Sequence, residues 1–168
     1  MSNQIITTND GSHTIYVESL DEHYHSTNGA IQEALHVYIA KALRECHLDK
    51  LTVFEVGFGT GLNALLTAIE ADKTNKEITY ISIEKYPISE QHRALLNFSK
   101  FIDVEYASIF EKIHSCEWNK LIEITPHFKL HKIEDSLLHF PNIPDCDVIY
   151  FDAFAPNKQP EMWSIQIF

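Results

Sequence analysis

Basic residues are scarce in this chain: 13 Lys and Arg stand against 24 Asp and Glu, a formal net charge of −11 over 168 residues. A protein that holds nucleic acid across a broad surface carries a basic surplus or a basic stripe. Here the basic side chains are dispersed, with loose groups only at Lys41/Arg44/Lys50 and Lys112/Lys120. Any contact with nucleic acid must be local, or made by a part of the protein outside this sequence. Cysteine is sparse too. Cys46, Cys116 and Cys146 lie far apart with no C-x-x-C pair, which argues against a disulfide or zinc framework and for reduced thiols in a cytoplasm. No run reaches the roughly 18 apolar residues of a membrane span. The opening Met-Ser-Asn-Gln-Ile-Ile-Thr-Thr lacks the basic and apolar regions of a signal peptide. Ten histidines are present, but without a paired ligand spacing and a fourth partner, so no metal is expected.

What remains is an ordinary globular composition, 45% hydrophobic and 22% charged, long enough for one domain with a real core. The dense stretch is Thr52 to Leu66. It begins as an apolar, β-branched and aromatic run, the composition of a buried strand. Gly57, Gly59 and Gly61 alternate after it, and Leu62, Leu65, Leu66 and Ile69 then give Leu62 to Ala71 the apolar spacing of a helix. Strand, glycine turn and helix is the geometry in which backbone approaches a ligand at the mouth of a parallel sheet. Glu55, two residues before the first glycine, and the spacing G-x-G-x-G set it apart from the dinucleotide fingerprint. An acidic strand end suits a cation better than a pyrophosphate, and the sulfonium and amino group of S-adenosylmethionine meet that description.

Along the rest of the chain, Gln4 to Thr7 and Thr14 to Val17 are β-prone runs around Asn9-Asp10-Gly11, a hairpin signal and an expected N-terminal extension over residues 1–18. A helix is expected from Ala30 to Cys46, with Ala34, Leu35, Val37, Tyr38, Ala42 and Leu43 on its apolar face. Strands are expected at Glu77 to Ile83, Phe128 to Ile133 and Asp147 to Asp152; a helix at Ser89 to Phe98; and mixed helix and loop from Val104 to Ile113. Ser136 to Phe140 reads as a short helical turn. Strands alternating with helices imply a doubly wound α/β fold with right-handed crossovers.

Glu84 ends the second strand where an acidic side chain accepts hydrogen bonds from ribose hydroxyls; the alternative is a surface carboxylate. Asp135, just past the third strand, either reaches an adenine amino group or caps the following turn. A second dense stretch runs from Tyr150 to Trp163. Asp152 closes a buried strand at the edge where the glycine turn lies, and a carboxylate there can accept a proton from an attacking amine. Phe154 follows on a loop stiffened by Pro156 and Pro160, where an aromatic ring can stack on a base. Tyr24, His25 and Ser26 are candidates for contacts above the cofactor, or for a structural role. Trp163 reads as an ordinary packing residue.

Glu55-Val-Gly-Phe-Gly-Thr-Gly-Leu-Asn63 together with Asp152-Ala-Phe-Ala-Pro-Asn-Lys-Gln-Pro-Glu-Met-Trp163 resembles the methyltransferase domain of the MnmC family. The segment around Tyr24-His25-Ser26, Glu33 and His36 is similar to that family's N-terminal signature. These enzymes finish 5-methylaminomethyl-2-thiouridine at the tRNA wobble position. The resemblance covers roughly residues 20 to 168. It implies a Rossmann-like, S-adenosylmethionine-dependent methyltransferase domain over residues 19–168, cytoplasmic and acting on tRNA. The family's domain continues with further strands, so the sheet is expected to be incomplete at its C-terminal side. It implies that Glu55, Gly57, Gly59, Gly61, Asn63, Glu84 and Asp135 hold S-adenosylmethionine and that Asp152 lies beside the substrate amine. Phe154, Lys158, Tyr24 and His25 then fall on the substrate side. A separate FAD-dependent oxidase acting earlier in the pathway is a possible partner. Two alternatives stand beside this reading: an S-adenosylmethionine-dependent enzyme acting on a small amine or metabolite, and a degenerate methyltransferase fold serving as a binding module.

Overall fold

A strand that is buried on both faces must sit inside a sheet, and Lys50–Val56 (β4) does. In a computed structural model describing residues 3–140 and 143–168, β4 pairs in parallel with Glu77–Glu84 (β5) on one side and Val148–Phe151 (β8) on the other. Phe128–Glu134 (β7) continues the sheet in parallel beyond β5, and Leu121–Thr125 (β6) closes that side antiparallel, with an irregularity between Glu123 and Thr125. The order is β6-β7-β5-β4-β8. Sequence reading missed β6, which lies exposed along much of its length and shows no clean apolar alternation.

Side chains alternate across each strand and so build two layers. On one face Leu51, Val53, Ile78, Tyr80, Leu130 and Tyr150 join the apolar side of Leu62–Thr74 (α2) and of Ala107–Ser115 (α4). On the other, Phe54, Val56, Ile83 and Ile133 meet Leu137 and Met162 from turns, not a long helix. That second face is thinly covered, and Ile149 of edge strand β8 stays 57% exposed. Glu90–Leu95 (α3) starts at Ser89, whose side chain accepts from His92 N.

The expected hairpin is present as Gln4–Thr7 (β1) and His13–Val17 (β2), with Glu22–His23 (β3) added antiparallel to β2. It is fastened to the body: Ile15 is buried in the main core, and His13 N donates to Asn97 Oδ1. The expected helix from Ala30 to Cys46 is not continuous. Ala30–Ala34 (α1) passes into a π-helical stretch, Leu35–Ala40, and then a 3₁₀ turn, Leu43–Glu45. The wider turn changes which side chains face inward. Leu35 and Val37 are 42% and 44% exposed, while Ile39 is buried and Tyr38 packs on Tyr150. From Val104 the chain makes a 3₁₀ turn to Tyr106 before α4 begins. Ser136 to Phe140 forms a turn, with His139 N and Phe140 N donating to the carbonyls of Ser136 and Leu137.

Candidate active site

The carboxyl ends of β4, β5 and β8 and the start of α2 open into a cleft of about 600 Å³. Its floor is the glycine turn. Gly57, Gly59 and Gly61 all have positive φ, at 92°, 51° and 73°, which only glycine adopts without strain. Space is as tight as conformation. A Cβ on Gly57 would come to 2.7 Å from the Asp152 carbonyl oxygen, and one on Gly59 to 3.0 Å from the Tyr24 ring.

Long-range contacts hold this turn. Gly57 N donates to Ile83 O at 2.9 Å and Gly59 N to Glu84 Oε2 at 3.0 Å. His25 Nε2 shares a 2.7 Å hydrogen bond with Thr60 Oγ1, and His114 Nε2 meets Thr60 O at 3.0 Å. A carbonyl can only accept, so His114 carries its proton on Nε2. Burial pushes both imidazoles down to about 4, which keeps them neutral around pH 7. His114 was not foreseen. Nothing in its sequence surroundings marks it, because α4 brings it to Thr60 from 54 residues away.

Glu84 lines the cleft and also serves the fold: Oε1 accepts from Tyr86 N at 2.8 Å while Oε2 holds Gly59. Each oxygen keeps a lone pair for a ligand hydroxyl. Asp135 lines the same cleft, and its Oδ1 accepts from Ser136 N at 2.7 Å, so it caps the turn without leaving the site. Tyr24 also lines the cleft against Gly59, its ring edge-on to Phe154 with centroids 5.3 Å apart. Both aromatic rings therefore come together above the turn.

Three placements depart from expectation. Glu55 is fully buried and does not line the cleft. Its Oε1 accepts from Asn63 Nδ2 at 3.1 Å and its Oε2 from Ser82 Oγ at 2.6 Å. Burial pushes its carboxyl up to about 8 against those hydrogen bonds, so it is mainly neutral at pH 7 and does not face a cation directly. The reason is the strand's alternation, which turns residue 55 under α2. Lys158 also stays outside the cleft, its Nζ 3.4 Å from Asp21 Oδ2. His25 is a wall residue whose ring is committed to Thr60.

Asp152 lies where β8 ends, its backbone N donating to Val56 O at 2.9 Å. Burial raises its carboxyl to about 6, opposed by hydrogen bonding to Tyr38 and Asn63 and assisted by the negative charge of Glu33. Asn63 Nδ2 donates to Asp152 Oδ2 at 2.9 Å. Sequence reading placed Tyr38 on an inward face and Glu33 in a family signature, but not beside Asp152, because the long-range approach of this segment to the end of β8 has no local signal. The lining carries Glu22, Glu33, Glu84, Asp135, Asp152 and Glu161 against one lysine, Lys85, among the described residues. Such a cleft favours a cationic ligand.

Comparison with known proteins places the geometry in a family context. Residues 96–168 match the family described as S-adenosyl-L-methionine-dependent methyltransferase. The chain is 34% identical over 169 residues to the tRNA 5-methylaminomethyl-2-thiouridine biosynthesis bifunctional protein MnmC of Campylobacter fetus, covering 92% of this chain and 26% of that protein. It is 31% identical to the protein of the same name from Leptospira interrogans, covering 87% of this chain and 25% of the relative. The chain thus spans about a quarter of the length of the curated relatives it matches. The crystal structure of MNMC2 from Aquifex aeolicus superposes with a TM-score of 0.77 at 23% identity, over 99% of this chain and 54% of that one, and shows the shared fold. The cofactor of the matched family is S-adenosylmethionine, and the cleft fits it. The lining is acidic, and Glu84 and Asp135 offer acceptors beside the glycine turn.

Proposed function

We propose that this chain, a relative of the MnmC proteins along nine-tenths of its length, is an S-adenosylmethionine-dependent N-methyltransferase. Its substrate is the 5-aminomethyl group of a 2-thiouridine at the tRNA wobble position, which it converts to 5-methylaminomethyl-2-thiouridine. The observation that carries the reading is the meeting of two walls in one cleft, the glycine turn of β4–α2 and the Asp152 carboxylate of β8. Glu84, Asp135 and the backbone of Gly57 to Gly61 would hold the cofactor. When bound, S-adenosylmethionine supplies an electrophilic methyl group.

The chain's own task is to deliver a neutral amine in the right place. An aminomethyl group is mostly protonated in neutral water and then has no lone pair. The Asp152 carboxylate, raised towards neutrality by burial yet still mainly ionised at pH 7, is suited to accept that proton. Tyr24 and Phe154, edge-on above the turn, form a surface against which an extruded base can pack. The surrounding acids repel phosphates, so only the base with its aminomethyl arm enters, and the tRNA backbone stays outside the cleft. We take residues 19–168 as the methyltransferase unit with residues 1–18 extending it, and place the protein in the cytoplasm with tRNA. A FAD-dependent oxidase acting earlier is its expected companion.

The acidic lining also favours a second reading, methylation of a free small amine. One experiment separates them. The protein is incubated with S-adenosylmethionine and tRNA carrying 5-aminomethyl-2-thiouridine, or with simple alkylamines, at low salt because the surface is acidic. Mass spectrometry should find the methylated wobble nucleoside. Methylated alkylamine with unchanged tRNA selects the second reading, and no methylated product in either reaction rejects both.

A further inference from the structure

Asn63, in the first turn of α2, is 3% exposed and lines the cleft. Its Nδ2 donates twice, to Glu55 Oε1 at 3.1 Å and to Asp152 Oδ2 at 2.9 Å. Both amide hydrogens are thereby used, and the amide is oriented by carboxyls on two sides. Turning it over would set Oδ1 against two carboxyl oxygens. Oδ1 is left buried, without a hydrogen-bond partner among the described residues. A buried acceptor without a donor is costly, and where it borders a cleft it marks the place of a ligand donor.

Resting on the N-methyltransferase reading above, we propose that Asn63 Oδ1 and the Asp152 carboxylate form a paired acceptor for the substrate's amine. The ammonium form binds with one N–H on each. A proton then passes from nitrogen to an Asp152 oxygen, cancelling the two charges and leaving the lone pair on nitrogen. Asn63 Oδ1 keeps a second N–H and so fixes the direction in which the lone pair points. Asp152 is the catalytic residue of this pair and Asn63 the orienting one. Glu55 is a positioning residue: buried between Ser82 and Asn63, it anchors the amide without touching the substrate. A neutral Glu55 serves this purpose, because its hydroxyl can donate to Ser82 Oγ while Oε1 still accepts from Asn63.

The test compares the parent protein with Asn63→Ala and Asn63→Asp on tRNA carrying 5-aminomethyl-2-thiouridine, with cofactor affinity measured separately by calorimetry. Asn63→Ala should lower kcat by about 10–100-fold, the range for losing one positioned proton-transfer or orienting group, while the S-adenosylmethionine Kd stays within about threefold. Asn63→Asp has the same shape and keeps an acceptor oxygen, so it remains informative if the alanine variant does not fold. It sets a carboxyl beside Asp152, where the charge of Glu33 already raises that carboxyl, and removes the Asn63 amide hydrogen bond that lowers it. The acid limb of its kcat/KM profile should therefore move to higher pH by about one unit. That shift reports that Asp152, the neighbour of residue 63, is the group that sets the limb, and the kcat loss at unchanged cofactor affinity in Asn63→Ala reports the orienting role. Unchanged kcat in Asn63→Ala, an unmoved limb in Asn63→Asp, or a loss confined to cofactor affinity overturns the inference while leaving the N-methyltransferase reading intact. A parent protein that methylates no amine overturns that reading first.

Discussion

The glycine turn is gripped from four directions, by Ile83 O, Glu84, His25 and His114, and its glycines leave no room for another residue at Gly57. The loop after Asp152 is tied differently. Trp163 Nε1 donates to Phe154 O at 2.7 Å, Lys158 reaches Asp21, and aromatic contacts join Phe151 to Trp163 and Phe168 on a half-exposed surface. The first wall is a floor tied on several sides, and the second is a side wall that follows the well-anchored Asp152, whose carboxylate we propose to be the reacting one, with fewer ties. A floor can be preorganised for a cofactor that is always the same, whereas a wall that admits part of a large substrate, as the proposed function requires, gains from fewer ties. Damage to the floor should therefore appear in stability and cofactor affinity, and damage to the wall in turnover.

The largest effect belongs to the wall. Asp152→Ala should lower methyl transfer by roughly 10²-fold or more while leaving the S-adenosylmethionine Kd within about threefold, read from single-turnover rates and calorimetry. Asp152→Asn keeps the shape and one acceptor oxygen, which separates charge from hydrogen bonding. With the carboxyl near 6, the parent kcat/KM should fall as pH drops through that value, because protonated Asp152 cannot take a proton. A tenfold loss of cofactor affinity in Asp152→Ala would erase the division between floor and wall.

Next comes the floor. Gly57→Ala forces a positive φ on a residue with a Cβ and drives that atom to 2.7 Å from backbone at Asp152, which no side-chain rotation relieves. Urea unfolding should show a loss of about 2–4 kcal/mol, with cofactor binding lost in parallel. Turnover falling at full stability and full affinity would contradict the assignment of Gly57 to the floor.

How far these walls were legible beforehand follows from the same contrast. The floor is local: β4, the three glycines and α2 are consecutive, so strand composition, glycine spacing and helical periodicity together find it. Asp152 could be read because it ends an apolar strand. Its contacts could not. Helical periodicity put Tyr38 on the inward face without bringing it to Asp152, and the π-helical stretch left Leu35 and Val37, read as inward too, outside the core. Glu55 was read as a cofactor contact because the motif places an acid there, whereas strand alternation buries it beneath Asn63. Lys158 stands in the right motif but is drawn to Asp21, a partner 137 residues away that no local pattern shows.

Glu84 lies between fold and ligand, so its removal sharpens the comparison. Glu84→Ala should weaken S-adenosylmethionine binding by about 1–3 kcal/mol by calorimetry, the range for hydrogen bonds to a charged group. It should also lower stability, since Gly59 N and Tyr86 N lose their acceptor. Glu84→Gln, which keeps one oxygen, should recover part of both. Unchanged affinity in Glu84→Ala would remove Glu84 from the cofactor site.

The smallest effect on turnover belongs to Glu55, which is part of the floor but reaches the wall through Asn63. Burial raises its carboxyl from 4.5 to about 8 in the folded protein. Between those values the folded protein holds a proton that the unfolded chain has released. Glu55 therefore contributes its full stability below about pH 4.5, loses it as pH rises towards 8, and changes nothing further above that. Glu55→Gln imitates the protonated form at every pH: its oxygen can accept from Asn63 Nδ2 and its amide can donate to Ser82 Oγ. Near pH 5 the two proteins should be almost equally stable in urea. By pH 8.5 the glutamine variant should be the more stable by a few kcal/mol, with the difference developing across the window in which the parent carboxyl is forced to ionise. The same variant should keep most of its turnover at pH 7, because Asn63 and Asp152 stay linked. A pH-independent difference would mean that Glu55 is ionised in the folded state. The buried carboxyl beneath Asn63 would then be a permanent charge, and the Asp152 wall would be influenced electrostatically from below as well as held in place.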